Sequence, residues 1–252
     1  MSEINTITTM WIREMKRFFR AKSRVIGNLA MPFFFLVLLG GGFSSFMNIG
    51  GQSGGYMGYI APGIIGMILL FSSMFAGISV LWDRQFGFLK EVLVAPVSRM
   101  SIMIGKTLGA VTTSILQAFI ILAALVVFGL VSPSILGFLL SLVFMFLISA
   151  SFVALGIAFA SRMSDAHGFQ LVMNFLIMPV FFLSGALFPL QGLPAWLSTA
   201  SMFDPLTYGV DGLRGSLGGI SYFPMWLDFS VLFVFWIVLT VIGAHLFRKS
   251  SV

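Results

Sequence analysis

The sequence has no cysteine and only two histidines, His167 and His245, in 252 residues. Without thiols it forms neither disulfides nor thiolate metal sites. The two histidines lie far apart in sequence, which argues against a histidine-based metal centre. Charge is scarce as well. Asp, Glu, Lys and Arg make up 9% of the chain, where a soluble domain carries about 25%. None of its six apolar runs holds a charged residue in its middle. A charge at the bilayer centre costs about 2.5–3.5 kcal/mol on insertion scales, and proton- or ion-driven carriers commonly keep one there for function. That absence argues against a secondary transporter and against a channel with a charged ring. No Ser-His-Asp or paired-carboxylate arrangement is readable. The first twenty or so residues are polar and basic, unlike the short charged region of a cleaved signal peptide.

What is present is apolar: 59% of the residues are hydrophobic. Six uncharged runs of about 20 residues predict an all-α, multi-pass membrane protein forming a single domain over 1–252. The spans are expected at about Val25–Phe46, Met57–Leu81, Thr107–Val131, Ile135–Ala160, Gly168–Phe188 and Leu227–Phe247. Pro179 predicts a kink in the fifth. Residues 1–24 read as an interfacial helix. Arg13, Lys16, Arg17, Arg20 and Arg24 fall within an arc of about 100°, and Ile7, Trp11, Met15 and Phe18 fall opposite. Residues 82–106 form a charged cytoplasmic loop. Residues 189–226 are apolar but broken by Pro and Gly, which suits short half-buried helices and not one straight span.

The basic residues divide unevenly. Six precede the first span, Arg84, Lys90, Arg99 and Lys106 lie in the 82–106 loop, Arg162 in the next even-numbered link, and Arg248 and Lys249 at the end. Only Arg214 falls on the other side, with Asp204, Asp211 and Asp228. The positive-inside rule places both termini in the cytoplasm, in a cell membrane. Topology thus accounts for the net charge of +6, and a nucleic-acid partner has no place.

Gly105-Lys106-Thr107 imitates the end of a phosphate-binding loop, but Met100 stands where that motif needs its first glycine. Lys106 is read as a lysine snorkelling from the membrane edge. Gln117, Gln170 and Asn174 are among the strongly polar side chains of the spans. They serve either helix-to-helix hydrogen bonds or a substrate path. In the 82–106 loop, Phe86, Leu89 and Leu93 recur at helical spacing among charged residues. A docking surface has that pattern, and so does a helix lying on the membrane.

The loop, with Asp83-Arg84-Gln85-Phe86-Gly87-Phe88-Leu89-Lys90-Glu91 and Val94-Ala95-Pro96-Val97-Ser98-Arg99, resembles the first cytoplasmic loop of permease subunits of type-2 ATP-binding-cassette exporters. Asp204-Pro205-Leu206-Thr207-Tyr208-Gly209-Val210-Asp211-Gly212-Leu213-Arg214 resembles that family's signature before the last span, where Asn is commoner than Asp at the first position. Phe182-Leu183-Ser184-Gly185-Ala186-Leu187-Phe188-Pro189 and the N-terminal Arg13-Glu14 with Arg17 and Arg20 are similar too. The resemblance covers nearly the whole chain and leans towards the drug-resistance branch.

The resemblance implies six spans, an N-terminal elbow helix, a cytoplasmic coupling helix and re-entrant outer helices. It implies ATPase coupling through Arg84, Phe86, Gly87, Leu89, Lys90, Glu91 and Arg99. It marks Asp204, Pro205, Thr207, Tyr208, Asp211 and Arg214 as the outer signature, and leaves Gln170, Asn174 and Ser184 as candidates for a substrate path. It implies no cofactor in this chain, with ATP and Mg on two separate ATPase subunits. A second permease copy or a close relative and membrane lipids are the remaining partners. The exported compound would be amphipathic: a drug, a lipid or a glycan-lipid. The alternative is a multi-pass enzyme or assembly factor acting on lipids at the outer interface, for which Asp204, Asp211, Asp228 and Arg214 are the only candidate groups.

Overall fold

The computed structural model describes residues 3–43, 55–85 and 98–249. Within them every regular element is a helix: α1 (Glu3–Arg20), α2 (Lys22–Phe43), α3 (Gly55–Gln85), α4 (Arg99–Val127), α5 (Ile135–Arg162), α6 (Ala166–Leu183), α7 (Ala195–Phe203), α8 (Pro205–Ser216) and α9 (Met225–Lys249). Six of these, α2 to α6 and α9, are long and apolar enough to cross a membrane.

Local chemistry sets the helix starts. Ser98, Ser134 and Asp165 hold extended backbone before α4, α5 and α6, and each side chain accepts a hydrogen bond from a backbone N–H of the first turn. Pro32, Pro62 and Pro179 lie inside α2, α3 and α6 without ending them. In lipid a helix is the only open-chain way to satisfy the backbone, so a missing N–H is tolerated where a break is not.

Several boundaries differ from expectation. α2 starts at Lys22, with only Ala21 between it and the end of α1, so the basic N-terminal helix runs almost directly into the first span. The 82–106 loop is helical at both ends, because α3 continues to Gln85 and α4 begins at Arg99. Asp83 on one flank and Lys106 on the other form an ion pair. α6 stops at Leu183, short of Phe188. Ser184 donates to the Phe181 carbonyl and accepts from the Ala186 N–H, while Gly185 takes φ +68°.

α3 is the centre of the bundle. It packs against α2, α4, α5, α6 and α8, and 72% of its most apolar window is buried, against 17% for α2, 22% for α6 and 17% for α9. The last three therefore leave apolar faces for lipid or another chain. α3 meets α5 backbone to backbone, where Gly77 lies under the Gly156 carbonyl with no room for a Cβ. One turn away, Ser73 bonds the hydroxyls of Ser149 on α5 (3.0 Å) and Ser114 on α4 (3.3 Å).

Between α6 and α9 the chain makes two short helices. They break at Asp204, which caps α8 through the Leu206 N–H at 3.0 Å. α8 has 12 residues, about 18 Å of helix, too short for a hydrocarbon core of about 30 Å. The stretch is not a span.

Candidate functional site: two polar centres at opposite ends of the bundle

At the end of the bundle where α1 lies, Asp83 of α3 is the hub. Arg13 grips it with two hydrogen bonds, Nη1 to Oδ2 at 3.0 Å and Nη2 to Oδ1 at 2.9 Å. Lys106 of α4 forms an ion pair with Oδ2 and donates to the Ser79 carbonyl at 3.4 Å. Glu14 lies 3.5 Å from Arg13. Two cations and two anions thus balance. The hydrogen bonds that Arg13 donates to Asp83 are the main cause that raises its pKa. Lys106 is a correction to the snorkelling reading: it is 3% exposed and turned inward. An ion this deep persists only when paired.

α1 reaches this position because α4 offers it a flat seat. A Cβ at Gly105 would meet the Ile7 carbonyl oxygen and Met10 Cβ, both at 2.7 Å, and one at Gly109 would meet Glu14 Cβ at 2.6 Å. Gly105 and Gly109 form a small-xxx-small pair on which α1 lies, and Trp11 Nε1 donates to Thr112 Oγ1 beyond it at 3.1 Å. Two glycines four apart stand in the sequence, but their spacing does not say which helix lies across them. Arg13, grouped by its helical angle with the solvated basic residues, leaves that group to reach Asp83.

Of the expected coupling residues, Phe86, Gly87, Leu89, Lys90 and Glu91 lie outside the described residues, with the rest of 86–97. Arg84 lies in the last turn of α3 and Arg99 in the first turn of α4. The helices flanking that segment are therefore the two that carry the Asp83–Lys106 pair.

The opposite end holds the 204–214 stretch. The Asp211 carboxylate accepts from the backbone N–H groups of Tyr222 (2.8 Å) and Phe223 (2.7 Å), which pins the α8–α9 turn. Burial pushes its pKa up, against those bonds and the Arg214 charge. Arg214 donates to the Gly185 carbonyl at 2.9 Å and lies over the Tyr59 ring. Thr207 donates to the Ser201 carbonyl (2.8 Å) and Tyr208 to that of Met202 (2.9 Å), fastening α8 to α7. Asp204, beside Pro205, is 5% exposed, and burial pushes its pKa up to about 8. Asp228 is fully buried, and neither carboxylate oxygen has a hydrogen-bond partner among the described residues.

Of the three candidates for a substrate path, Gln170 and Asn174 share one exposed face of α6, one turn apart, and Ser184 lies away from them. Gln170 lines a cavity of about 430 Å³ under α1, Asn174 is exposed on α6, and Ser184 is buried in the turn after it. His167 and His245 are both exposed.

Comparison with known proteins gives these features a context. The family model described as ABC-2 type transporter matches residues 5–218. A transport permease, ycf38 of Cyanophora paradoxa, is 27% identical over 96% of this chain and 89% of its own. The inner membrane transport permease YadH of Escherichia coli K12 is 26% identical over 97% and 95%. The "Probable multidrug ABC transporter permease YbhR" of the same strain is 27% identical over 62% of this chain and 42% of its own length.

Proposed function

Since the chain belongs to the ABC-2 type transporter family, we propose that it is the membrane-spanning half of an ATP-driven exporter, paired with a second permease chain and worked from below by two ATPase subunits. ATP and Mg belong to those subunits. Segment 82–106 receives their motion, with Phe86, Leu89 and Glu91 at the contact and Arg84 and Arg99 beside it. Both termini face the cytoplasm, and the α7–α8 pair dips into the outer leaflet. The substrate is an amphipathic compound, and Gln170 and Asn174 are the polar groups on the unpacked face of α6 that it would meet.

One observation carries this reading. The bidentate Arg13–Asp83 bond and the Asp83–Lys106 pair tie α1, α3 and α4 together beside the 86–97 segment. A push on that segment is delivered to three helices at once, and α3 carries it through the core to the outer end. The buried ions stand where force would enter, and the middle of each span is free of charge, which suits a machine whose energy comes from another chain.

The test is co-purification of the chain with an ATPase subunit, followed by Glu91→Arg. The variant is expected to insert and assemble but to hydrolyse ATP without export. Normal export would remove Glu91 from coupling. If deletion of residues 86–93 leaves ATPase association unchanged, the docking idea fails. Orientation is checked by labelling single cysteines at Ser2 and Thr199, where the second is expected to react only from outside.

A further inference from the structure

The cavity of about 430 Å³ beneath α1 has Gln170 of α6 at its edge and, at its mouth, a basic residue, Arg17, that the export reading leaves unused. It is walled by α1, α2, α3 and α4. Its lining on α3 runs from Trp82 to Met67, about 22 Å of helix. That length reaches from the headgroup level past the middle of a core about 30 Å thick. Gly27, Asn28 and Met31 on α2 and Gln170 on α6 are exposed, and no extensive packing joins α2 to α6. The cavity therefore opens sideways between α2 and α6, on apolar faces that this chain leaves for lipid or another chain, and its natural visitor is a membrane amphiphile, not a water-soluble compound.

Charge decides the sign of the headgroup. Glu14 at the rim is engaged by Arg13 within the balanced ion cluster. Arg17 has no carboxylate partner among the described residues and lies over the Trp82 ring, 5.6 Å from its centre. Arg17 also lines the neighbouring groove on α1 with Lys16 and Arg20. The mouth thus carries unneutralised positive charge, while Phe71, Phe75 and Met31 give an apolar interior. Part-way along, Asn28 Nδ2 donates to Gln117 Oε1 at 3.4 Å, a polar step of the kind that an ester or amide linkage meets well.

We propose that this cavity binds one anionic amphiphile, its acidic headgroup on Arg17 and its chain laid along Phe71 and Phe75. An acidic phospholipid of the inner leaflet and an exported acidic amphiphile share this chemistry. The site stands whether or not the ATPase reading does, since binding needs no turnover.

The test uses the full chain in detergent, titrated with phosphatidylglycerol or phosphatidylcholine and followed by native mass spectrometry. One phosphatidylglycerol is expected to be retained in preference to phosphatidylcholine. Arg17→Gln weakens its retention about five-fold, as expected for one basic residue at a membrane surface, and leaves phosphatidylcholine unchanged. Arg17→Lys restores part of the loss. Gly27→Phe excludes both lipids, because a Cβ at Gly27 meets nothing within 4 Å and the ring fills open space without displacing a neighbour. Gly42→Phe, equally unobstructed on α2 but outside the cavity, leaves binding intact. Equal retention by the parent, Arg17→Gln and Gly27→Phe, each with the parent's melting temperature, overturns the proposal, as does an absence of preference in the parent. With the ATPase and ATP present, release of the bound lipid identifies cargo and persistence identifies a resident lipid. Either result supports the site.

Discussion

Arg214 lies with its guanidinium carbon 4.0 Å from the centre of the Tyr59 ring, and both side chains donate to the same acceptor, the Gly185 carbonyl, at 2.9 Å each. One cation, one ring and one carbonyl thus join α8, α3 and the turn after α6. Tyr56 extends the join by donating to the Leu187 carbonyl at 3.0 Å.

Tyr59→Phe keeps the ring and loses one donor, so it is expected to cost about 1 kcal/mol. Arg214→Lys loses the planar stacking on Tyr59, and is expected to cost more despite keeping the charge. Unfolding of the purified chain in mixed micelles measures both. A smaller loss for Arg214→Lys than for Tyr59→Phe would show that the carbonyl bond, not the stacking, holds the turn.

Gly109→Leu is expected to lift α1 from α4, since the new side chain would occupy the place of Glu14 Cβ. The absence of cysteine makes this easy to follow. A short bis-maleimide should link cysteines placed at Trp11 and Thr112 in the parent background and fail to do so with Gly109→Leu. Undiminished linkage would mean that α1 is held by its ion pairs alone.

Asp83→Asn leaves Lys106 buried without its counter-charge. Breaking a buried pair from one side costs about 3–5 kcal/mol, so the variant is expected to melt well below the parent. Adding Lys106→Met should recover much of the loss, because the stranded charge is then gone. If the double variant is no more stable than Asp83→Asn, the Arg13 bond carries the stabilisation instead.

The Asp204 carboxyl is pushed up to about 8 in the folded chain by burial, well above the value of about 3.9 for an unperturbed Asp. Between these values the folded state holds the proton that the unfolded state releases. Its contribution is therefore fully present below about pH 4 and is lost as pH rises towards 8. Asp211, also raised by burial, acts in the same direction. The melting temperature of the chain should fall across this window, and Asp204→Asn should flatten the fall while keeping the cap on Leu206. An unchanged profile in that variant would move the effect to Asp211.

The sequence by itself determined the class and the number of spans. Hydropathy and the need to satisfy every backbone group in lipid leave a run of about 20 apolar residues no other choice. Pro and Gly between 189 and 224 likewise sufficed to exclude a straight span, and two short helices stand there. The 204–214 stretch was recognisable as a signature, but not what it fastens, because Gly185, Tyr59 and Tyr222 come from three distant parts of the chain. Polarity placed Asp83 and Lys106 in a solvated loop. Only tertiary structure could bury them, since the pairing that makes burial affordable joins α1, α3 and α4, whose partners are separated by 70 residues between Arg13 and Asp83. The glycines at 105 and 109 were visible all along; that they seat α1 depended on which helix lay across them. Periodicity says which face of a helix is apolar or small. What covers that face is decided by packing between elements remote in sequence.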